Sequence, residues 1–100
     1  RQLAAPPNSI IYIAGKISDD PNYMVKFAQA QERLEAEGHI VLNPAVLPVG
    51  LEYEAYFPIN YAMIDASDDV YFLRDWHLSE GARKEMLYAM QKEKGILVEE

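Results

Sequence analysis

A chain of 100 residues, half of them hydrophobic, carries apolar mass for one core and not for two. It has no cysteine, which excludes a disulfide framework, a thiolate nucleophile and a sulfur-ligated zinc site, and fits a reducing cytoplasm. Its net charge of -7 opposes duplex nucleic acid and anionic membrane as partners, because binding to phosphate surfaces needs clustered Lys and Arg, and no apolar run approaches the roughly 20 residues of a membrane span.

Arg1 to Ser9 has one cation and no apolar run, so it does not read as a secretory signal; with Pro6, Pro7 and Asn8 it reads as a flexible arm over residues 1–9. Residues 10–100 read as one domain. Ile10 to Ala14 is a β-branched and aromatic run of the kind found in a strand covered on both faces, and Gly15 ends it. Asp19-Asp20-Pro21 supplies a capping carboxylate and a proline for a first helical turn, Tyr23, Phe27, Ala30 and Leu34 form one apolar stripe, and Gly38 stands at the left-handed stop. Ile40 to Leu42 is a second strand, closed by Asn43-Pro44 and placed parallel to the first by the right-handed crossover rule.

From Ala45 to Pro58 the pattern is broken by Pro48 and Gly50, and the aromatic residues Tyr53, Tyr56 and Phe57 read as core or subunit contact before pocket wall. Ile59 to Ala66 reads as a helix with Ile59, Ala62, Met63 and Ala66 on one face. Asp69 to Leu73 is a third strand, Ser79 to Glu93 a last helix stopped by Gly95, and Ile96 to Val98 a fourth strand. Strands alternating with helices give a three-layer α/β domain with a small parallel sheet of four to five strands, of flavodoxin or Rossmann type. Its exposed sheet edges suggest a homo-oligomer.

In such sheets the ligand crevice lies outside the carboxyl ends of the strands, which selects the loops after Ala14, Leu42 and Leu73. The first offers Gly15 for close approach, Lys16 as a cation and Ser18 as a hydroxyl, without the full glycine pattern of a phosphate-binding loop. The third leads through Trp76 and Ser79 into a helix whose first amides, at Gly81 and Ala82, favour an anion, with Arg83 close behind. Ser79 taken alone is an ordinary helix cap. Glu85 falls on the stripe of Ala82, Met86 and Ala89, which places a carboxylate either inward or at the wet edge of that stripe. His39 and His77 lack paired ligand spacing, so no metal site is expected, nor any cofactor.

Ile11-Tyr12-Ile13-Ala14-Gly15, the Gly38-His39 turn leading to Asn43-Pro44, and Trp76, Ser79, Gly81, Ala82 and Glu85 in order resemble the nucleoside 2-deoxyribosyltransferase-like superfamily. The likeness is to its short DUF4406 branch, common in phage and bacterial genomes, and runs from Ile10 to Val98. The resemblance implies that Glu85 attacks the anomeric carbon of a 2-deoxynucleoside or nucleotide, with water then giving a hydrolase and a second base a transferase, by the physics of a retaining glycosidase. It implies that Tyr12 packs near sugar and nucleophile. Ser79 matches a serine that holds a 5′-phosphate, with Gly81, Ala82 and Lys16 or Arg83 completing the receptor. One departure stands out: family enzymes carry an aspartate eight residues before the aspartate that opens the third strand, and counting back from Asp68 reaches Asn60, an amide that cannot donate a proton as an acid. The expected ligand is a nucleoside or nucleotide cleaved or transferred at its N-glycosidic bond. The alternatives are a non-catalytic binder of a nucleotide or ADP-ribose-like ligand, and an oligomeric interaction module built on Tyr53 to Phe57.

Overall fold

The structure, a computed structural model, describes residues 8–100. Four strands, β1 (Ile10–Ala14), β2 (Ile40–Leu42), β3 (Asp69–Phe72) and β4 (Gly95–Val98), form a single sheet in the order β2-β1-β3-β4 with every neighbouring pair parallel. Helices α1 (Tyr23–Ala36), α2 (Tyr56–Asp65) and α3 (Glu80–Gln91) supply the crossovers. The expected N-terminal arm lies outside the described residues except for Asn8 and Ser9, and Ser9 is already buried.

The central strands are apolar on both sides because both sides are covered. Ile11 and Ile13 of β1, with Tyr71 of β3 and Leu97 of β4, meet Phe27, Ala30 and Leu34 of α1. Tyr12 and Ala14, with Val70 and Phe72, meet Ile64 of α2 and Ala89 of α3. This is the three-layer arrangement expected of the sequence. Side chains such as Ile13, Phe27 and Phe72 have no exposed surface, and burial of each contributes about 1.5–3 kcal/mol. Among the described residues no helix is long and apolar enough to cross a membrane.

Several local expectations are corrected. Helix α1 begins at Tyr23 and not at Pro21, because Asp19 adopts a left-handed φ of 61° and Asp20 closes a turn, its carboxylate accepting from the Asn22 amide at 2.9 Å. Its end is as expected: Gly38 takes φ 93°, and the amides of Gly38 and His39 donate to the carbonyls of Glu35 and Leu34. Helix α2 starts three residues early, at Tyr56, with Pro58 in its first turn. Its inward face carries Asn60, Tyr61 and Ile64, whereas Ile59, Ala62 and Ala66 of the expected stripe are exposed and only Met63 packs on the core. Helix α3 ends at Gln91, and the left-handed stop is Glu93, at φ 58°, instead of a glycine. Gly95 opens β4, where a Cβ would lie 1.9 Å from Asp69 Oδ1. The Asp69 carboxylate occupies the space a side chain would take there, so this glycine serves that contact and not helix termination.

Candidate functional site

The chain leaves β1 toward β2 on one side and returns past it to β3 on the other, so the strand order reverses between β1 and β3. A crevice opens at the carboxyl ends of strands at such a point. Here it is a cleft of about 560 Å³ reaching from the loop after β1 across to the start of α3 and roofed by the segment between β2 and α2.

Its floor holds one carboxyl group. Glu85 is one turn inside α3, on the stripe of Ala82 and Ala89 that the helix buries, and is only 5% exposed. Tyr12, pointing from the middle of β1 to the same side of the sheet, donates its hydroxyl to Glu85 Oε2 at 2.9 Å. Asn60 of α2 donates its amide Nδ2 to the same oxygen at 3.1 Å. Burial raises the Glu85 carboxyl from 4.5 to about 7, since the cost of desolvating its charge exceeds the help of the two donors. Burial, and then the adjacent Glu85, hold the Tyr12 phenol well above its ordinary value, so it is a hydrogen-bond donor throughout the working range. Because both donors address Oε2, Oε1 is the oxygen that neither engages.

The roof and one wall are aromatic. Tyr53 meets Phe57 edge-on at 5.2 Å, and Tyr56 lines the cleft beside them; off the lining, Tyr61 lies 5.9 Å from Phe57 and stacks on Tyr88 at 4.1 Å. Opposite them stands Gly81, where a Cβ would lie 3.7 Å from the Tyr53 hydroxyl and 3.8 Å from Phe57, so the missing side chain widens the cleft at that point. Gly15 has another reason: a Cβ there would come within 2.8 Å of the Leu73 side chain, so glycine lets the loop after β1 press against the end of β3. The two loops are tied together. The Lys16 amide donates to Asp75 Oδ1 at 3.1 Å, and Lys26 bridges Asp75 and Asp20.

The model of the family described as a domain of unknown function, DUF4406, matches residues 9–98. The chain belongs to this family. Among curated protein sequences nothing matches it. The fold of this DUF4406 domain is similar to that of a solved structure, the 2-desoxiribosyltransferase from Leishmania mexicana, with a TM-score of 0.72 and 22% sequence identity; the match covers 90% of this chain and 63% of that one.

Of the residues singled out in the sequence, the DUF4406 domain places Tyr12, Gly15, Lys16, Ser18, Asn60, Ser79, Gly81, Ala82 and Glu85 around one cleft. Three others lie elsewhere. Asp68 stands at the opposite end of the sheet, where its carboxylate accepts from the Ile10 amide at 2.9 Å, because it precedes β3 and the cleft follows it. Trp76 packs edge-on against Phe72 at 5.5 Å, serving the core. Arg83 turns back along α3 and donates to the His77 carbonyl at 2.8 Å. Ser79 caps α3, its Oγ accepting from the Ala82 amide at 3.1 Å. Tyr53, Tyr56 and Phe57, read from sequence as core or subunit contact, line the cleft instead. Glu80 and Asp19 also border it and were not singled out as site residues in the sequence, since an acid at a helix start reads as a cap or an ordinary exposed charge.

Proposed function

We propose that this domain binds a nucleoside or nucleotide in the cleft and breaks or exchanges its N-glycosidic bond, with Glu85 as the nucleophile. The observation that carries the reading is the buried Glu85 carboxyl on the floor of an aromatic-walled cleft, held through one oxygen by Tyr12 and Asn60. A fold shared with a 2-desoxiribosyltransferase supports it further. In the proposed first step Glu85 Oε1 forms an ester bond to C1′ of the sugar while the C1′–N bond breaks. The bonding pair leaves on the base, which takes a proton from water. Water or the nitrogen of a second base then attacks C1′ and gives its proton to the hydroxide left by the first step, the ester bond breaks, and the free carboxylate returns. Only the ionised carboxyl can begin this sequence, so a group titrating at about 7 makes the rate climb as pH rises through neutrality.

Asn60 favours a second reading. An amide orients the nucleophile but supplies no acidic proton to the leaving base, and general acid assistance is worth about 10²–10⁴-fold. The same cleft then serves a binder that holds its ligand intact. Chromatographic detection of free base from a panel of 2-deoxynucleosides and their 5′-monophosphates separates the two. The enzymatic reading predicts release that vanishes in Glu85→Gln. Thermal stabilisation by a panel member with no base release from any of them contradicts it and leaves the binder.

A further inference from the structure

The anion receptor that the sequence suggested at the start of α3 is already answered from within the protein. Glu80, in the first turn of α3, sets its own carboxylate against the positive end of that helix. It is held there by the Tyr53 hydroxyl, which donates to Glu80 Oε1 at 3.1 Å across the cleft mouth. The Ser79 hydroxyl oxygen accepts from the Ala82 amide, and its remaining O–H is a neutral donor that brings no positive charge to the site. Arg83 donates to the His77 carbonyl, and Lys84, which is not on the cleft lining, lies over the Phe57 ring at 5.0 Å. Lys16 is the single cation on the cleft lining among the described residues, and its ammonium donates to the Ser18 carbonyl at 2.6 Å. Against it stand three carboxyl groups, Asp19, Glu80 and Glu85. A phosphate dianion entering here meets like charge on the lip, with no arginine fork among the described lining residues to replace its water. A neutral nucleoside loses nothing by the same arrangement, and its hydroxyls find acceptors.

We propose that Glu80 is a specificity-determining residue that makes the cleft select an unphosphorylated nucleoside over the corresponding 5′-monophosphate. The inference rests on the reading of the cleft as a nucleoside site and names which form of the ligand it takes. Because Glu80 is exposed, its repulsion is screened by salt, whereas exclusion by shape is not.

The test measures dissociation constants by calorimetry for four pairs: 2′-deoxyadenosine, 2′-deoxyguanosine, 2′-deoxycytidine and thymidine, each with its 5′-monophosphate. Wild-type protein, Glu80→Gln and Glu80→Lys are compared at low and at 0.5 M salt. The expected result is at least one nucleoside bound about tenfold or more tightly than its monophosphate at low salt. That gap narrows in high salt, closes in Glu80→Gln and reverses in Glu80→Lys. A monophosphate bound as tightly as its nucleoside by the wild type overturns the inference and leaves the cleft's nucleoside reading standing. A gap that neither salt nor the Glu80 variants change also overturns it, assigning the preference to shape. Binding of none of the eight compounds overturns both the inference and the reading beneath it.

Discussion

Replacing Glu85 by Gln keeps the shape of the side chain on the cleft floor and removes its charge. The folded protein holds the Glu85 proton up to about pH 7, whereas in the unfolded chain it is lost at the ordinary 4.5. A carboxyl whose pKa is higher in the folded state stabilises the fold fully below pH 4.5 and loses that contribution as pH rises through about 7. At about 1.4 kcal/mol for each tenfold change in proton affinity, the difference between 4.5 and about 7 amounts to roughly 3 kcal/mol, a large share of the stability of a domain this size. Gln has no such term, and its carbonyl accepts from Tyr12 and Asn60 as the carboxylate does. Urea unfolding of both proteins at pH 4.5 and pH 8.5 gives the comparison. The wild type is expected to lose roughly 3 kcal/mol more than Glu85→Gln between those conditions, so that the variant is the more stable protein at alkaline pH. Parallel pH profiles for the two proteins would refute the argument that burial confines this charge.

Asn60→Asp sets a second carboxylate beside Glu85, and like charges at that distance cannot both ionise easily. The midpoint of the pH dependence of base release is expected to move above about 7, and an unmoved midpoint speaks against a shared environment. Gly95→Ala brings a methyl group to 1.9 Å from Asp69 Oδ1, so the carboxylate has to swing aside, and should cost up to about 1 kcal/mol by urea unfolding; a gain in stability contradicts the contact. Glu93→Gly relieves a left-handed φ of 58° at the end of α3 and should stabilise by up to about 1 kcal/mol, whereas destabilisation in the same assay rejects that account.

The strands were legible because β1 and β3 are β-branched or aromatic runs buried from both sides, and the more exposed edge strands β2 and β4 are still short β-branched runs: β1 and β2 fall on Ile10–Ala14 and Ile40–Leu42 as read. Helix α2 was legible as a helix and not as a face. Its most apolar stripe, Ile59, Ala62 and Ala66, points outward, while the inward face includes Asn60, whose amide is needed by Glu85 and therefore looks polar in sequence. Gly95 and Glu93 were exchanged in role for a similar reason. Glycine is the usual residue for a left-handed stop, yet here it stands two residues later, where the Asp69 carboxylate fills the space of a side chain, and a glutamate bears the strained φ. The cleft floor could be assembled from sequence only through the ordered motif of Trp76, Ser79, Gly81, Ala82 and Glu85, and within it Trp76 proves to serve the core. The acidic lip could not, because an exposed Glu80 is distinguished only by the Tyr53 hydroxyl that reaches it from 27 residues away.

The claim that Glu85 acts as a nucleophile is tested most directly by mass spectrometry of the protein acid-quenched during incubation with 2-deoxynucleosides. The account predicts a protein carrying one added deoxyribosyl group, traced by proteolysis to the peptide containing Glu85 and missing from Glu85→Gln. Base released at an undiminished rate by Glu85→Gln, or an adduct mapped to any other residue, would contradict it.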